Sequence, residues 1–140
     1  MVKISVSLVG LLVLFSCREE HQKPIVTHFV YKNATPHAVE LRLTKASNTE
    51  VHSIAQNKSV QLTNIETAEH IGDTGILHPF EGYEKVVIAF TGLNKCTVNF
   101  EKIRNVKKYD NFSEAMYQNT ENTLIYIIDD EELTVAANCN

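Results

Sequence analysis

The side chains best suited to chemistry fall in one stretch. Between Asn64 and Glu84 the chain carries His70, Asp73 and His78, the aromatic residues Phe80 and Tyr83, and three of its five glycines, Gly72, Gly75 and Gly82. Two histidines and a carboxylate are groups with which a small hydrolase moves protons and activates water. The aromatic pair could stack on a sugar ring or pack against a neighbouring strand, and packing is the ordinary role. Asp73-Thr74-Gly75 narrows the question, because two such Asp residues can share a proton and activate water between them. The chain holds a single copy of the tripeptide, with Gly72 just before it. Asp and Gly then do ordinary turn chemistry, and no catalytic residue is assigned.

Other reactive types do not converge. The six histidines, at 21, 28, 37, 52, 70 and 78, form no i, i+2 pair for a strand and no i, i+4 pair for a helix, so no metal site and no cofactor are expected. The acidic tract Asp129 to Glu132 lacks the alternating oxygen ligands and central glycine of a calcium loop. It reads instead as a helix start, with Asp129 at the N-cap and Glu132 in the position of a capping box. Formal charge is −4, and the lysines are scattered. Without a basic stripe to neutralise several phosphates, nucleic acid is not an expected partner.

The elements that would hold these residues are mostly strands. Ile25 to Lys32 is rich in Val, Thr, Phe and Tyr, and Asn33-Ala34-Thr35-Pro36 turns the chain into Val39, Leu41 and Leu43, which alternate with polar residues. This predicts a hairpin. Val51 to Ala55 and Ser59 to Thr63 give two shorter strands, and residues 64 to 84 lose all periodicity and read as a long loop of the kind that binds partners. Val86 to Phe90 is apolar throughout, as a central strand requires. Cys96, Val98 and Phe100 alternate with Thr97, Asn99 and Glu101, which predicts an inward-facing Cys96. A short helix is expected around Ser113 to Tyr117, a last strand over Leu124 to Ile128, and a terminal helix that places Val135 and Cys139 on one face.

The amino-terminal residues carry an address. Lys3, the apolar run Ile4 to Phe15 and the small Ser16 have the three parts of a secretory signal. At about 1.5 Å per residue the run rises about 18 Å, short of the ~30 Å hydrocarbon core that a permanent span must cross. Leu14-Phe15-Ser16-Cys17 resembles the lipobox of bacterial lipoproteins, with Phe15 as the departure from pattern. The resemblance implies that Cys17 is lipidated, that residues 1 to 16 are removed, and that acyl chains such as palmitate hold the protein to the membrane. Two or more chains suffice for a stable anchor. Arg18-Glu19-Glu20 resembles the acidic export signal of surface lipoproteins in Bacteroidota-type bacteria, which implies the outer membrane and exposure at the cell surface.

That reading changes the cysteine count. With Cys17 lipidated, Cys96 and Cys139 remain as a pair in an oxidising compartment, either bridged or as two separate buried thiols. It also makes Asn33-Ala34-Thr35, Asn57-Lys58-Ser59 and Asn111-Phe112-Ser113 chance matches to the glycosylation pattern. Residues 17 to 24 become a tether and residues 25 to 140 one β-rich domain. The expected fold is all-β, an antiparallel β-sandwich with a short C-terminal helix, or alternatively an α+β open sheet with the helix on one face. Asn33-Ala34-Thr35-Pro36-His37 and the acidic helix start at Asp129 resemble parts of small lipoproteins of the same bacteria, a likeness that implies no activity. The expected role is a noncatalytic binding or accessory module with a glycan or protein partner. A small envelope hydrolase using residues of the 64–84 loop is the alternative.

Overall fold

A computed structural model describes residues 24–66, 80, 82–108, 111–118 and 121–139. Its strands are β1 (Ile25–Asn33), β2 (Val39–Lys45), β3 (Asn48–Ile54), β4 (Ser59–Glu66), β5 (Lys85–Phe90), β6 (Lys95–Glu101), β7 (Val106–Lys107), β8 (Ser113–Gln118), β9 (Glu121–Ile128) and β10 (Ala137–Asn138). One helix, α1 (Asp130–Thr134), follows β9. Two sheets form, in the orders β4-β1-β9-β8 and β10-β6-β5-β2-β3, with β7 added to β6. All pairings are antiparallel except β1 with β9. The fold is thus a β-sandwich with one short C-terminal helix.

Period-2 alternation produces the core. Phe29 and Tyr31 of β1 and Tyr126 and Ile128 of β9 are buried from one sheet; Val39, Leu41, Leu43, Val86, Ile88 and Phe90 are buried from the other. Central β5 buries Ala89 as well, as its continuous apolar sequence leads one to expect.

The expected β1–β2 hairpin does not form, because the two strands belong to different sheets. Asn33 is the cause. Its fully buried side chain donates to the carbonyls of His37 (2.7 Å) and Ile54 (3.0 Å), while its Oδ1 accepts from the Thr35 amide (3.0 Å) and hydroxyl (2.8 Å). These bonds make a corner that carries the chain across the sandwich, where a hairpin turn would have folded it back. The hairpin actually made is β2–β3, closed through Ala46 and Ser47.

Three further expectations are corrected. Strand β4 runs on to Glu66, so the loop expected from Asn64 does not start there. The helix expected around Ser113 to Tyr117 is strand β8, paired with β9. On β6 the inward residues are Thr97 and Asn99, whereas Cys96 and Val98 are half-buried on the opposite face. A register shift pairs Val86 with Phe100 but Val87 with Val98, so Asn99 is the extra residue of a bulge and both Asn99 and Phe100 are buried. The apolar alternation of Cys96, Val98 and Phe100 therefore does not mark one face.

Candidate functional site

Helix α1 touches β6 of one sheet and β9 of the other, so it sits where the sandwich would otherwise be open. Its N-cap is Asp129, whose carboxylate accepts from the amides of Glu131 (3.0 Å) and Glu132 (3.2 Å). This much agrees with a capping box. Glu132, however, does not reach back to the cap. It turns inward, 7 % exposed, and accepts from the Tyr126 hydroxyl at 2.7 Å and from Lys108 Nζ at 3.0 Å. Its carbonyl accepts from the Thr97 hydroxyl at 3.3 Å.

A polar system therefore lies inside an otherwise apolar core. Tyr31 donates to Asn99 Oδ1 at 2.9 Å, and the rings of Tyr31 and Tyr126 lie 5.4 Å apart. Phe112 meets both rings edge-on at 5.3 Å and Phe29 at 5.5 Å. Burial among these rings pushes the Tyr126 hydroxyl well above the ordinary tyrosine range, and the Glu132 carboxylate beside it adds to the effect; the amides of Asn111 and Asn99 act the other way. Tyr31 is raised as well, chiefly by burial. Both hydroxyls stay protonated at neutral pH and serve as donors.

Above Glu132 opens a cleft of about 490 Å³, lined by Lys108, Asn111, Ser113, Ile127, Asp129, Glu131, Glu132 and Val135. Ile127 and Val135 are 53 % and 63 % exposed. The cleft thus offers apolar walls, amide and hydroxyl groups, and carboxylates within one concavity. Both oxygens of Glu132 accept hydrogen bonds, and Asp129 caps the helix through Oδ1.

The residues singled out in the sequence fall elsewhere. Cys17, His70, Asp73 and His78 lie outside the described residues. Phe80 is buried and stacks on Phe100 with centroids 4.8 Å apart, so it packs in the core and displays no face. Tyr83 packs against the same cluster, and its amide donates to the Phe80 carbonyl at 3.0 Å. Burial raises its hydroxyl, helped by nearby Glu50. Cys96 and Cys139 form a disulfide, their Cα atoms 5.0 Å apart. Cys139 arrives by a route other than helical spacing: α1 ends at Thr134, and β10 pairs Ala137 with Cys96.

Sequence reasoning missed the cleft because its residues come from β9, α1 and its C-cap, the start of β8 and the stretch before it. The one available signal was Glu132, six residues after Tyr126, and helix capping accounted for it. Among the described residues no group of three His, Cys, Asp or Glu side chains is placed to hold a metal ion, and no helix is long and apolar enough to cross a membrane. In comparisons with known proteins, no family model, curated protein or solved structure matches the chain.

Proposed function

We propose that the protein is a lipid-anchored binding module of the bacterial envelope, held to the outer membrane through Cys17, whose cleft between β9 and α1 takes a polyhydroxylated ligand such as a glycan. The carrying observation is the cleft itself, in which exposed Ile127 and Val135 face a mixed set of donors and acceptors from Lys108, Asn111, Ser113 and Glu131. Binding sites combine apolar walls with a few placed polar groups in this way. A sugar presents a C–H face to such walls and hydroxyls that both donate and accept to such polar groups. For the alternative hydrolase, His70, Asp73 and His78 lie outside the described residues and nothing described favours it.

Two experiments test the two halves of this reading. Incubation of the purified protein with a panel of envelope and host glycans should give binding that Val135→Asp and Ile127→Lys reduce at least about tenfold, a loss of about 1.4 kcal/mol, while the urea midpoint stays unchanged. Binding that survives both substitutions would place the ligand elsewhere. For the anchor, metabolic labelling with an alkyne-bearing fatty acid should mark the wild type and not Cys17→Ala. Label retained in the variant would refute lipidation at Cys17.

A further inference from the structure

Among the described residues strand β3 ends its sheet, and its seven residues, Asn48-Thr49-Glu50-Val51-His52-Ser53-Ile54, carry one of the devices that usually protect an edge, the charged Glu50. There is no proline, no lysine and no register shift in its pairing with β2. Among the other sheet ends of the described residues, β8 carries a register shift and β10 is two residues long, whereas β4 pairs with β1 over eight residues without a shift.

The direction of the free groups follows from the neighbouring pairing. Thr44 and Ala38 turn their carbonyls away from β3, accepting from the amides of Glu84 (2.8 Å) and Thr91 (2.9 Å). Alternation along β2 then directs the main-chain groups of Leu41, Leu43 and Lys45 to β3, where they oppose His52, Glu50 and Asn48. Thr49, Val51 and Ser53 are therefore the residues whose N–H and C=O point off the open edge. All three are exposed, Val51 at 49 %.

The side chains along this edge are self-complementary. A two-fold axis through Val51 in an antiparallel pairing of two copies sets Val51 against Val51, Thr49 against Ser53, and Glu50 against His52. Within one chain Glu50 Oε1 and His52 Nε2 already lie 2.8 Å apart. Pairing two edges would extend this into an alternating ring of two carboxylates and two imidazoles. Moving the axis to Glu50 sets Glu50 against Glu50, which like charge disfavours, and moving it to His52 separates Glu50 from the partner's His52. The register through Val51 also matches the outward-pointing main-chain groups, giving about six new hydrogen bonds, two for each narrow pair.

We infer that β3 is a self-association edge, and that two copies of this chain join β3 to β3 about a two-fold axis at Val51 to make one continuous sheet. The occupant is a second copy because the strand reads as its own complement about that axis, which an isologous contact demands.

Cysteine cross-linking of the full chain tests both the contact and its register. Residues facing each other on the axis lie about 5.5 Å apart between Cα atoms, within the reach of a disulfide. Two copies of Thr49 would be about 14 Å apart, four residues at about 3.4 Å each. After mild copper oxidation, Val51→Cys should give several-fold more covalent dimer than the wild type, whose own cysteines set the baseline. Thr49→Cys and Ser53→Cys should cross-link when mixed and not alone. Equal cross-linking of Thr49→Cys alone would overturn the register. A Val51→Cys protein that keeps its urea midpoint and gives no dimer above baseline would overturn the contact. Sedimentation velocity supplies the second measurement: the wild type should show a dimer that Val51→Pro, which removes the outward N–H, shifts to monomer. A wild type that sediments as a monomer, or a Val51→Pro protein that still dimerises, would refute the proposal.

Discussion

Glu132 shows how a residue's neighbours decide its work. At the start of a five-residue helix an acidic side chain ordinarily favours solvent and the helix dipole, yet this one is turned into the core and held on both oxygens by Tyr126 and Lys108. Removing either donor leaves a buried acceptor short of a partner, which costs about 1–3 kcal/mol. We expect Tyr126→Phe and Lys108→Met each to lower stability by this amount, read from urea midpoints at pH 7. Lys108 sits at the lower end because its side chain is 29 % exposed and water replaces part of the bond. The two buried tyrosines of this system, Tyr31 and Tyr126, predict a further effect. Below the ordinary tyrosine value of about 10, folded and unfolded chains both keep these protons and stability does not respond. Above it the unfolded chain releases protons that Tyr31 and Tyr126 retain in the fold, so the unfolded state gains and stability falls as pH rises. The slope is up to about 1.4 kcal/mol per pH unit for each retained proton. Tyr126→Phe should therefore start less stable at pH 7 but lose less between pH 10 and pH 11 than the wild type.

At the scale of elements, two turns make opposite predictions. Asn33 supplies the corner between β1 and β2 with four side-chain hydrogen bonds, so Asn33→Ala removes two donors and the acceptor of the buried Thr35 amide, leaves the Thr35 hydroxyl as the His37 carbonyl's side-chain donor, and should cost about 3 kcal/mol. Ala46, in the β2–β3 turn, has φ 51°, where a side chain is disfavoured by about 1–2 kcal/mol. Ala46→Gly relieves that strain, gives back some of it as unfolded-chain entropy, and should stabilise by about 0.5–1 kcal/mol. Thermal or urea unfolding of the pair checks both signs. These turns also show what a sequence reveals. The strands themselves were legible, since Val39, Leu41 and Leu43 alternate and residues 86 to 90 are continuously apolar. Their partners were not, because Asn33-Ala34-Thr35-Pro36 specifies a turn without saying whether the chain folds back or crosses to the other sheet. The inward face of β6 was misread for a related reason: the bulge at Asn99 exists only in the pairing with β5, and the polar groups it turns inward meet Glu132, which accepts from the Thr97 hydroxyl, and Tyr31, which donates to Asn99 Oδ1. Strand β8 had no apolar period of its own, and only β9 beside it makes Ser113–Gln118 a strand. The cleft was hidden by the same logic, being made where separate elements meet.

Over the whole molecule, the two ends of the described chain are brought together by pairings that no local signal encodes. Strand β1 pairs in parallel with β9, almost at the opposite end of the sequence, so the first sheet cannot close until β9 has docked. The disulfide acts on this step. Cys96 lies on β6 and Cys139 follows β10 in the second sheet, while the 43-residue separation between them contains β8 and β9, half of the first sheet. Closing that loop restricts how far β9 can stray from β6 in the unfolded chain, and it ties down the segment after α1 that carries Val135 of the cleft. The chain-entropy contribution for a loop of this size is about 4 kcal/mol, an upper figure because unfolded chains retain some structure. The Cys96→Ser/Cys139→Ser protein should therefore lose up to that amount, with the loss reproduced by reducing the wild type with dithiothreitol in the same urea titration. Because the constraint acts mainly on the unfolded state, the core about Tyr31 and Tyr126 should keep its near-ultraviolet circular dichroism once folded. Amide exchange should speed up most over residues 135 to 139, which the disulfide, two ladder pairs and the Cys139 amide bond to the Asn94 carbonyl hold to β6 and the turn before it. Uniformly faster exchange across both sheets would instead mean that the bridge shapes the native packing itself.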